Sequence, residues 1–242
     1  MNMHFIWGPT CTGKTAVSIE IAKATGWPVI ALDRVQCCSD IAVGSGRPAA
    51  EELQATRRLY LDERSVKQGI PTAEEAHERL KALVDQLRQQ EDGLILEGGS
   101  ISLLNRMVAD PYWEQPFTWQ LHRLRLDSAQ TFLSRAQARV ETMLQGSPGL
   151  LDELLAAWRE PLARPVIADV DGYRQALAFA RQHELAVEAL PDLSDSLRRQ
   201  LISDIAQEYL EHAYWQERDF PDIPESWRIQ GSGQPSIANS YR

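Results

Sequence analysis

The sequence predicts an α/β protein in which a P-loop-type parallel sheet is flanked by helices and followed by a smaller C-terminal helical domain. Three observations carry this prediction. A phosphate-binding motif, "GPTCTGKT" at residues 8–15, lies between a short apolar segment and a helical pattern. A second apolar segment follows that helix, and such a strand–loop–helix–strand unit is typical of a parallel sheet with a right-handed crossover. From residue 151 onward the apolar spacing is mostly helical.

The first half of the chain has the pattern of alternating strands and helices. "MHFIW" predicts a short buried strand, and the apolar spacing over 13–26 predicts a helix that stops at a glycine. "VIAL" predicts a second strand, which ends at Asp33. A single apolar stripe over 72–90 predicts the clearest helix of the chain, and Thr72 and Glu75 have the spacing of a capping box.

The second half begins with two more strands and continues in helices. "GLILEGGS" predicts a buried strand that breaks at two glycines, and "FTWQLHRLRL" predicts another strand. Asp127 and Gln130 have the spacing of a cap for a helix that runs to about Leu144. Further helices are predicted over 151–160, 172–182 and about 194–218. The predicted divisions are a P-loop α/β domain over 1–157, a helical domain over 158–220 and an irregular, proline- and glycine-containing tail over 221–242.

Composition excludes several classes of protein. The chain has 242 residues, 43% apolar and 24% charged, which is typical of a folded globular protein. It has no apolar run long enough to cross a membrane, and we expect no signal peptide before the first strand. The net charge of −9 argues against a protein that wraps a long nucleic acid. Cys11, Cys37 and Cys38 lack a metal-binding spacing, so we expect reduced thiols and a cytoplasmic location.

The phosphate loop, residues 8–15, is the strongest sign of chemistry in the sequence. In such loops, successive backbone N–H groups, a helix N-terminus and a lysine surround an anion. Gly8, Gly13, Lys14 and Thr15 occupy the fixed positions of the motif, and the Thr15 hydroxyl would be a ligand of Mg²⁺. The flanking strand and helix argue against a chance match in a glycine-rich turn. The motif recognises only phosphate, so other residues must indicate which substrate carries it.

Two acids follow predicted strands. Ligands of an open parallel sheet bind at the carboxyl ends of its strands, so Asp33 would lie near the phosphates as a candidate general base. Asp33 fits a helix cap equally well, because Gln36 lies three residues further on, and both interpretations stay open. Glu97 ends the strand "LILE" and could hold a metal-bound water. The sequence slightly favours the alternative, a solvated loop acid.

Two helical patterns carry further candidates. Arg135 and Arg139 are four residues apart on one predicted helix, so both guanidinium groups could reach one anion. A solvated helix face paired with acids explains them equally well. Tyr209 and His212 share a helical face with Ile205, which indicates a pair within the core more often than a ligand site.

Several stretches together resemble one protein family. They are "GPTCTGKT", "LDRVQCCSDIAVGSGRP", "RLYLDER", "LILEGGSISLL", "DGYRQAL" and "AQEYLEHA". From about Phe5 to about Phe220, in order and spacing, the chain is similar to the bacterial adenylate dimethylallyltransferases, the isopentenyltransferases that make cytokinins. The tRNA dimethylallyltransferases are a related group.

The resemblance implies transfer of a dimethylallyl group, or its hydroxylated form, from its diphosphate to the N6 amine of AMP, with Mg²⁺ as cofactor. It also implies that the phosphate loop holds the donor's diphosphate and that the helical domain covers the substrates. The implied base for the amine is Asp33. The other implied contacts are Thr10, Lys14, Thr15 and Arg139 with the leaving diphosphate, Ser45 and Ser102 with the adenylate, and Asp171, Tyr209 and His212 with the donor.

Three other functions would also use a phosphate loop of this kind. The charge of −9 and the acidic C-terminal helix argue against a tRNA dimethylallyltransferase. A small-molecule kinase would be expected to have a strand ending in Asp for Mg²⁺, whereas "LILE" ends in Glu97. A non-catalytic nucleotide-binding module leaves Asp33 and the arginine pair without a purpose. We therefore expect no nucleic-acid partner and no membrane association. The choice among AMP, ADP and ATP, the donor preference and the oligomeric state stay open.

Overall fold

The computed structural model describes residues 1–228 and contains a five-stranded sheet in the order β3-β2-β4-β1-β5. Every neighbouring pair is parallel, so the carboxyl ends of all strands lie at one edge of the sheet. The predicted fold class is confirmed. The strands are β1 (Asn2–Trp7), β2 (Val29–Leu32), β3 (Arg58–Leu59), β4 (Gly93–Gly98) and β5 (Thr118–Arg123).

Helices connect the strands and make up most of the chain after β5. Within residues 1–228, no helix is long and apolar enough to span a bilayer. The helices are α1 (Lys14–Thr25), α2 (Ala50–Leu53), α3 (Ala73–Leu87), α4 (Ile101–Ala109), α5 (Ala129–Gln145), α6 (Leu150–Trp158), α7 (Arg164–Ile167), α8 (Tyr173–Gln182), α9 (Asp195–Asp219) and α10 (Glu225–Arg228).

Two predicted helix starts can be compared with the structure. The capping box of α3 is confirmed, because the Thr72 hydroxyl accepts a hydrogen bond from the Glu75 N–H at 3.1 Å and Glu75 accepts one from the Thr72 N–H at 2.8 Å. The cap predicted at Asp127 is wrong by one residue. The hydroxyl of Ser128 accepts from the Thr131 N–H at 3.2 Å and begins α5, while Asp127 forms an ion pair instead.

The sheet is buried on both faces, as the apolar strands require. Because side chains alternate along a strand, Phe5 and Trp7 of β1 pack with α3 and α4, whereas Ile6 packs with α1 on the opposite face. A third core lies among α5, α6, α8 and α9 and also includes Cys11 of the phosphate loop. The predicted domain boundary at 157/158 falls at the end of α6, and the division into two domains stays a prediction.

The predicted irregular tail contains an aromatic anchor in the part that the structure describes, residues 221–228. The short helix α10 places Trp227 in the core, where only 2% of it is exposed. Its ring stacks on Trp119 of the edge strand β5, with ring centroids 4.3 Å apart, and meets Phe5 edge-on at 6.0 Å. The expectation of an irregular tail therefore fails at 225–228, and its remainder lies outside the described residues.

Candidate active site

A cavity of about 920 Å³ lies at the carboxyl ends of β1, β2 and β4, where ligands of parallel sheets bind. The phosphate loop and the ends of β2 and β4 form one side, and residues of α5, α9 and the segment before α8 form the other. The cavity brings together all but one of the predicted site residues, and the exception is Gly8. Those that line it are Thr10, Gly13, Lys14, Thr15, Asp33, Ser45, Ser102, Arg139, Asp171, Tyr209 and His212.

The path of the phosphate loop requires unusual backbone geometry. A Cβ atom at Gly8 would overlap the carbonyl oxygen of Leu124, so Gly8 serves close packing rather than the cavity wall. Gly13 has a φ of 87°, which favours glycine, and Cys11 has a φ of 56°. A left-handed conformation costs a non-glycine residue on the order of 1–2 kcal/mol. The loop therefore keeps a strained backbone, a feature that clusters at functional sites.

Lys14 begins α1 directly after the loop, lines the cavity and is only partly exposed. Its Nζ donates to the carbonyl oxygen of Pro9 at 2.5 Å. Burial lowers the pKa of Lys14, while the carboxylates of Glu97 and Asp33 oppose that shift by favouring the charged form. An anion bound in the loop would stabilise the ammonium in the same way.

A residue that sequence reasoning missed holds the loop in place. Gln216 of α9 is 6% exposed, and its Oε1 accepts a hydrogen bond from the Thr10 N–H at 2.7 Å. Its Nε2 donates to the carbonyl oxygen of Gly99, after β4, at 2.8 Å. The two ends of one amide thus join α9 to the phosphate loop and to the end of β4. No local pattern indicates this contact, because Thr10 and Gln216 are 206 positions apart.

The position of Asp33 fits both interpretations that the sequence leaves open, the helix cap and the general base. Its Oδ1 accepts hydrogen bonds from the N–H groups of Val35 at 2.8 Å and Gln36 at 3.3 Å, as a cap does. The residue also lines the cavity. Burial raises the pKa of the Asp33 carboxyl, although the two backbone hydrogen bonds and the charge of Lys14 oppose the shift. A carboxylate with a raised pKa is a stronger proton acceptor than a solvated one.

Glu97 is not the solvated loop acid that the sequence favours. It is 4% exposed, and its Oε2 accepts from Arg58 Nη1 at 2.5 Å and from the Ser18 hydroxyl at 3.4 Å. A buried pair of this kind is costly to break, because the remaining charge would have no partner. Glu97 and Thr15 both line the cavity beside Lys14. Their oxygen atoms are ligands of the kind that Mg²⁺ prefers, so this end of the cavity fits the ion.

One of the two helical arginines reaches the cavity. Arg139 lines it and donates to the carbonyl oxygen of Gly46 at 3.4 Å, and its positive charge contributes to the lowered pKa of Lys14. Arg135 instead pairs with Asp127 at 3.1 Å. The hypothesis that both guanidinium groups reach one anion is therefore wrong for Arg135. This residue lies on a solvated helix face and pairs with an acid, as the other interpretation of the two arginines expects.

The opposite wall of the cavity is polar. His212 Nδ1 lies 2.7 Å from Asp171 Oδ2, and Arg174 donates to the other carboxylate oxygen of Asp171. Burial favours a higher pKa for Asp171, but the hydrogen bond and positive charge of His212, together with Arg174, hold the pKa below its ordinary value. Burial also raises the pKa of Tyr209. Tyr209 is 7% exposed and packs in the same core as Ile205, as the sequence favours, and it also lines the cavity. The core interpretation is wrong for His212, which pairs with Asp171 at the cavity wall.

A buried carboxylate, which sequence reasoning also missed, positions the loop that carries Ser45. Glu153 of α6 accepts hydrogen bonds from the N–H groups of Val43 at 2.9 Å and Gly44 at 3.0 Å, and from the Tyr173 hydroxyl at 2.7 Å. Because Tyr173 begins α8, one side chain links the Ser45 loop to the segment that contains Asp171. Val43 and Tyr173 are 110 and 20 positions from Glu153, so no local pattern indicates these contacts.

Known proteins resemble this chain over nearly its whole length. The isopentenyl transferase family model matches residues 1–231. The adenylate dimethylallyltransferase of Agrobacterium tumefaciens (strain T37) is 55% identical over 97% of this chain and 96% of its own length. The adenylate dimethylallyltransferase of Rhizobium rhizogenes is 53% identical over 98% of each chain.

A solved structure shares the fold at low sequence identity. The full-length tRNA isopentenylpyrophosphate transferase of Bacillus halodurans superposes with a TM-score of 0.68 and 15% identity, over 90% of this chain and 86% of that one. This likeness shows that the two proteins share the overall fold. The family match and the relatives confirm the resemblance that the motifs indicate: the chain belongs to the isopentenyl transferase family.

Proposed function

We propose that the protein transfers a dimethylallyl group, or its hydroxylated form, from its diphosphate to the N6 amine of AMP, and releases diphosphate. The observation that carries the proposal is the cavity lined both by Lys14 of a phosphate loop and by the carboxylate of Asp33, whose charges are close enough to affect each other's pKa. The names of the relatives, at more than half identity over nearly the whole chain, support the choice of substrates.

The phosphate loop would bind the leaving group. Breaking the allylic C1–O bond leaves positive charge on the prenyl carbons and negative charge on diphosphate. Lys14 and Arg139 supply fixed positive charge, the Thr10 hydroxyl and the N–H groups around Gly13 can donate hydrogen bonds, and Gly8 permits the packing of the loop. Such preorganised groups stabilise developing charge more strongly in a closed site than in water. Thr15 and Glu97 would hold Mg²⁺, which would add positive charge beside the diphosphate.

Asp33 would prepare the attacking amine. The exocyclic amine of adenine is a poor nucleophile, and a carboxylate that accepts its proton during attack improves it. Oδ1 of Asp33 already accepts two backbone N–H groups, so Oδ2 is the oxygen available to the amine. The N6–C1 bond forms as the C1–O bond breaks, the proton passes to Asp33, and the electron pair of the broken bond leaves with diphosphate.

The remaining residues would position the substrates. We assign Ser45 and Ser102 to the adenylate and Asp171, Tyr209 and His212 to the donor, under a helical domain formed by residues 158–220. The Asp171–His212 pair places two polar groups where a hydrocarbon tail would bind. The hydroxyl of the hydroxylated donor could hydrogen-bond to this pair, whereas the plain dimethylallyl tail could not, so we expect the site to favour the hydroxylated donor.

The acceptor is proposed to be a free nucleotide, and the site of action the cytoplasm. The net charge of −9 supports a small acceptor over a nucleic acid, because phosphate neutralisation provides most of the affinity for nucleic acids. Cys11, Cys37 and Cys38 are unbridged and buried, which is consistent with a reducing compartment. Burial raises the pKa of Cys37 to about 12 and that of Cys38 to about 11, so both remain neutral packing residues. Micromolar tRNA binding at physiological salt would contradict the choice of acceptor.

The direct test is to incubate the protein with AMP, dimethylallyl diphosphate and Mg²⁺ and to detect N6-prenylated AMP by chromatography and mass. Asp33→Asn should lower the turnover rate by about 10²–10⁴-fold, the usual contribution of a general base. Asp127→Asn, which changes an acid of an exposed ion pair, is the matched control and should remain active. Absence of product from the wild type, or full activity of Asp33→Asn, would contradict the proposal.

The Asp33→Asn variant also tests how much the charge of Asp33 lowers the stability of the folded protein. The pKa of Asp33 is raised on folding, so the folded protein binds a proton at this group more readily than the unfolded chain does. Protonated Asp33 therefore contributes fully to folding stability below the ordinary pKa of an aspartate, and this contribution is lost as the pH rises through the raised value. Asp33→Asn keeps an oxygen for the Val35 and Gln36 N–H groups but carries no charge, so it should raise the Tm at pH 7. Each 1 kcal/mol of stabilisation corresponds to about 2–4 °C in a protein of this size.

Thermal unfolding at several pH values measures this effect. The difference between wild type and Asp33→Asn should shrink as the pH falls toward the ordinary pKa of an aspartate, where both side chains are neutral. A lower Tm for Asp33→Asn at pH 7 would show that the ionised carboxylate stabilises the fold, contrary to our account.

Donor preference is tested by competition between the two diphosphates in one reaction. His212→Leu should shift the product ratio toward the dimethylallyl donor by about tenfold, since one polar partner of the donor hydroxyl is lost. Tyr214→Leu is the control on the same helix, because Tyr214 is half-exposed and does not line the cavity. An unchanged ratio in His212→Leu would refute the assignment.

A further inference from the structure

The cavity contains more positive charge than the diphosphate site uses. The basic residues that line it are Lys14, Arg34, Arg58, Arg139 and Arg174. Arg58 pairs with Glu97 at 2.5 Å, and Arg174 pairs with Glu208 at 3.0 Å and also with Asp171. Within residues 1–228, the other three have no carboxylate oxygen within 4.0 Å. These three cations are therefore available to an anionic ligand.

Two of the three available cations belong to the diphosphate site proposed above. Lys14 is part of the phosphate loop, and the charge of Arg139 contributes to the lowered pKa of Lys14, which places both cations in one region. Arg34 is the remaining one. A cation that lines a cavity without a carboxylate partner is costly unless a ligand supplies the opposite charge.

The contacts of Arg34 hold its guanidinium on one side and leave the rest of the group free to bind. Nη1 donates to the carbonyl oxygen of Pro71 at 2.8 Å, which fixes the direction of the side chain. Nε is buried and has no hydrogen-bond partner in the described part of the chain. The guanidinium is planar and offers several donors, a geometry that matches the oxygens of a phosphate.

We propose that Arg34 binds the 5′-phosphate of the acceptor nucleotide and thereby selects a nucleotide over a nucleoside. This inference rests on the proposed function, in which both substrates are anionic. Arg34 directly follows Asp33, with Cα atoms about 3.8 Å apart, so one segment of chain carries the base for the amine and a cation for the phosphate. The amine and the 5′-phosphate are at opposite ends of AMP, and the long arginine side chain can span from one toward the other.

The test compares AMP with adenosine, which lacks the phosphate, in wild type and in Arg34→Gln. Glutamine is polar, uncharged and shorter than arginine, so the variant removes the charge together with the hydrogen bond from Nη1 to the Pro71 carbonyl oxygen. The KM for AMP should rise about 10–100-fold, the range for a hydrogen bond to a charged group, whereas the KM for adenosine and for the donor should change little. Arg34→Lys should recover part of the affinity for AMP, because it restores the charge.

Arg135→Ala is the matched control, since Arg135 is a surface arginine outside the cavity and should leave both acceptors unaffected. Calorimetric binding of AMP and adenosine without the donor separates this inference from the proposed reaction. If the protein binds AMP more tightly than adenosine through Arg34 but forms no prenylated product, the proposed reaction is refuted and the phosphate site stands. Equal weakening of AMP and adenosine in Arg34→Gln, or no weakening of either, would overturn the inference.

Discussion

The proposed chemistry depends on two opposite charges, Lys14 and Asp33, that are partly removed from water in one cavity. Burial shifts both pKa values toward the neutral form, which lowers that of the lysine and raises that of the aspartate. Each charge partly supports the other, and Glu97 supports Lys14 as well. In the proposed reaction the substrates complete this balance, because the diphosphate neutralises the lysine and the amine transfers its proton to the aspartate. The substrate-free site is thus less stable than it could be, which is a usual cost of a preorganised active site.

Long-range contacts hold the two charges at the correct ends of the cavity. Gln216 fixes the Thr10 amide, and Tyr209 and His212, which lie one to two turns earlier on the same helix, form the opposite wall. Helix α9 therefore positions the phosphate loop and the donor wall as one rigid element. Glu153 has a comparable effect on the Ser45 loop through its three hydrogen bonds. These buried polar groups are fully paired, and such networks specify one arrangement of the elements that they join.

The features that were predictable from sequence are those that local patterns determine. The phosphate loop is a contiguous motif, and Asp33 follows from the rule that ligands meet the carboxyl ends of parallel strands. The burial of Glu97 was missed because its partner, Arg58, comes from another strand, 39 positions away. Gln216 and Glu153 were missed for the same physical reason: a polar residue on a helix predicts solvent exposure unless its distant partner is known. Trp227 was missed because the flanking prolines and glycines suggested an irregular tail, whereas its ring fills a place beside Trp119.

The central claim is that the phosphate loop holds a leaving group and that no phosphoryl group is transferred. A dimethylallyl diphosphate labelled with ¹⁸O at the bridging oxygen between C1 and phosphorus tests this directly, with AMP as the acceptor. The account predicts that all of the label leaves in the released diphosphate, because the C1–O bond breaks. Label retained on the prenyl product, or a phosphoryl group added to the nucleotide, would show that a P–O bond breaks instead and would contradict the account.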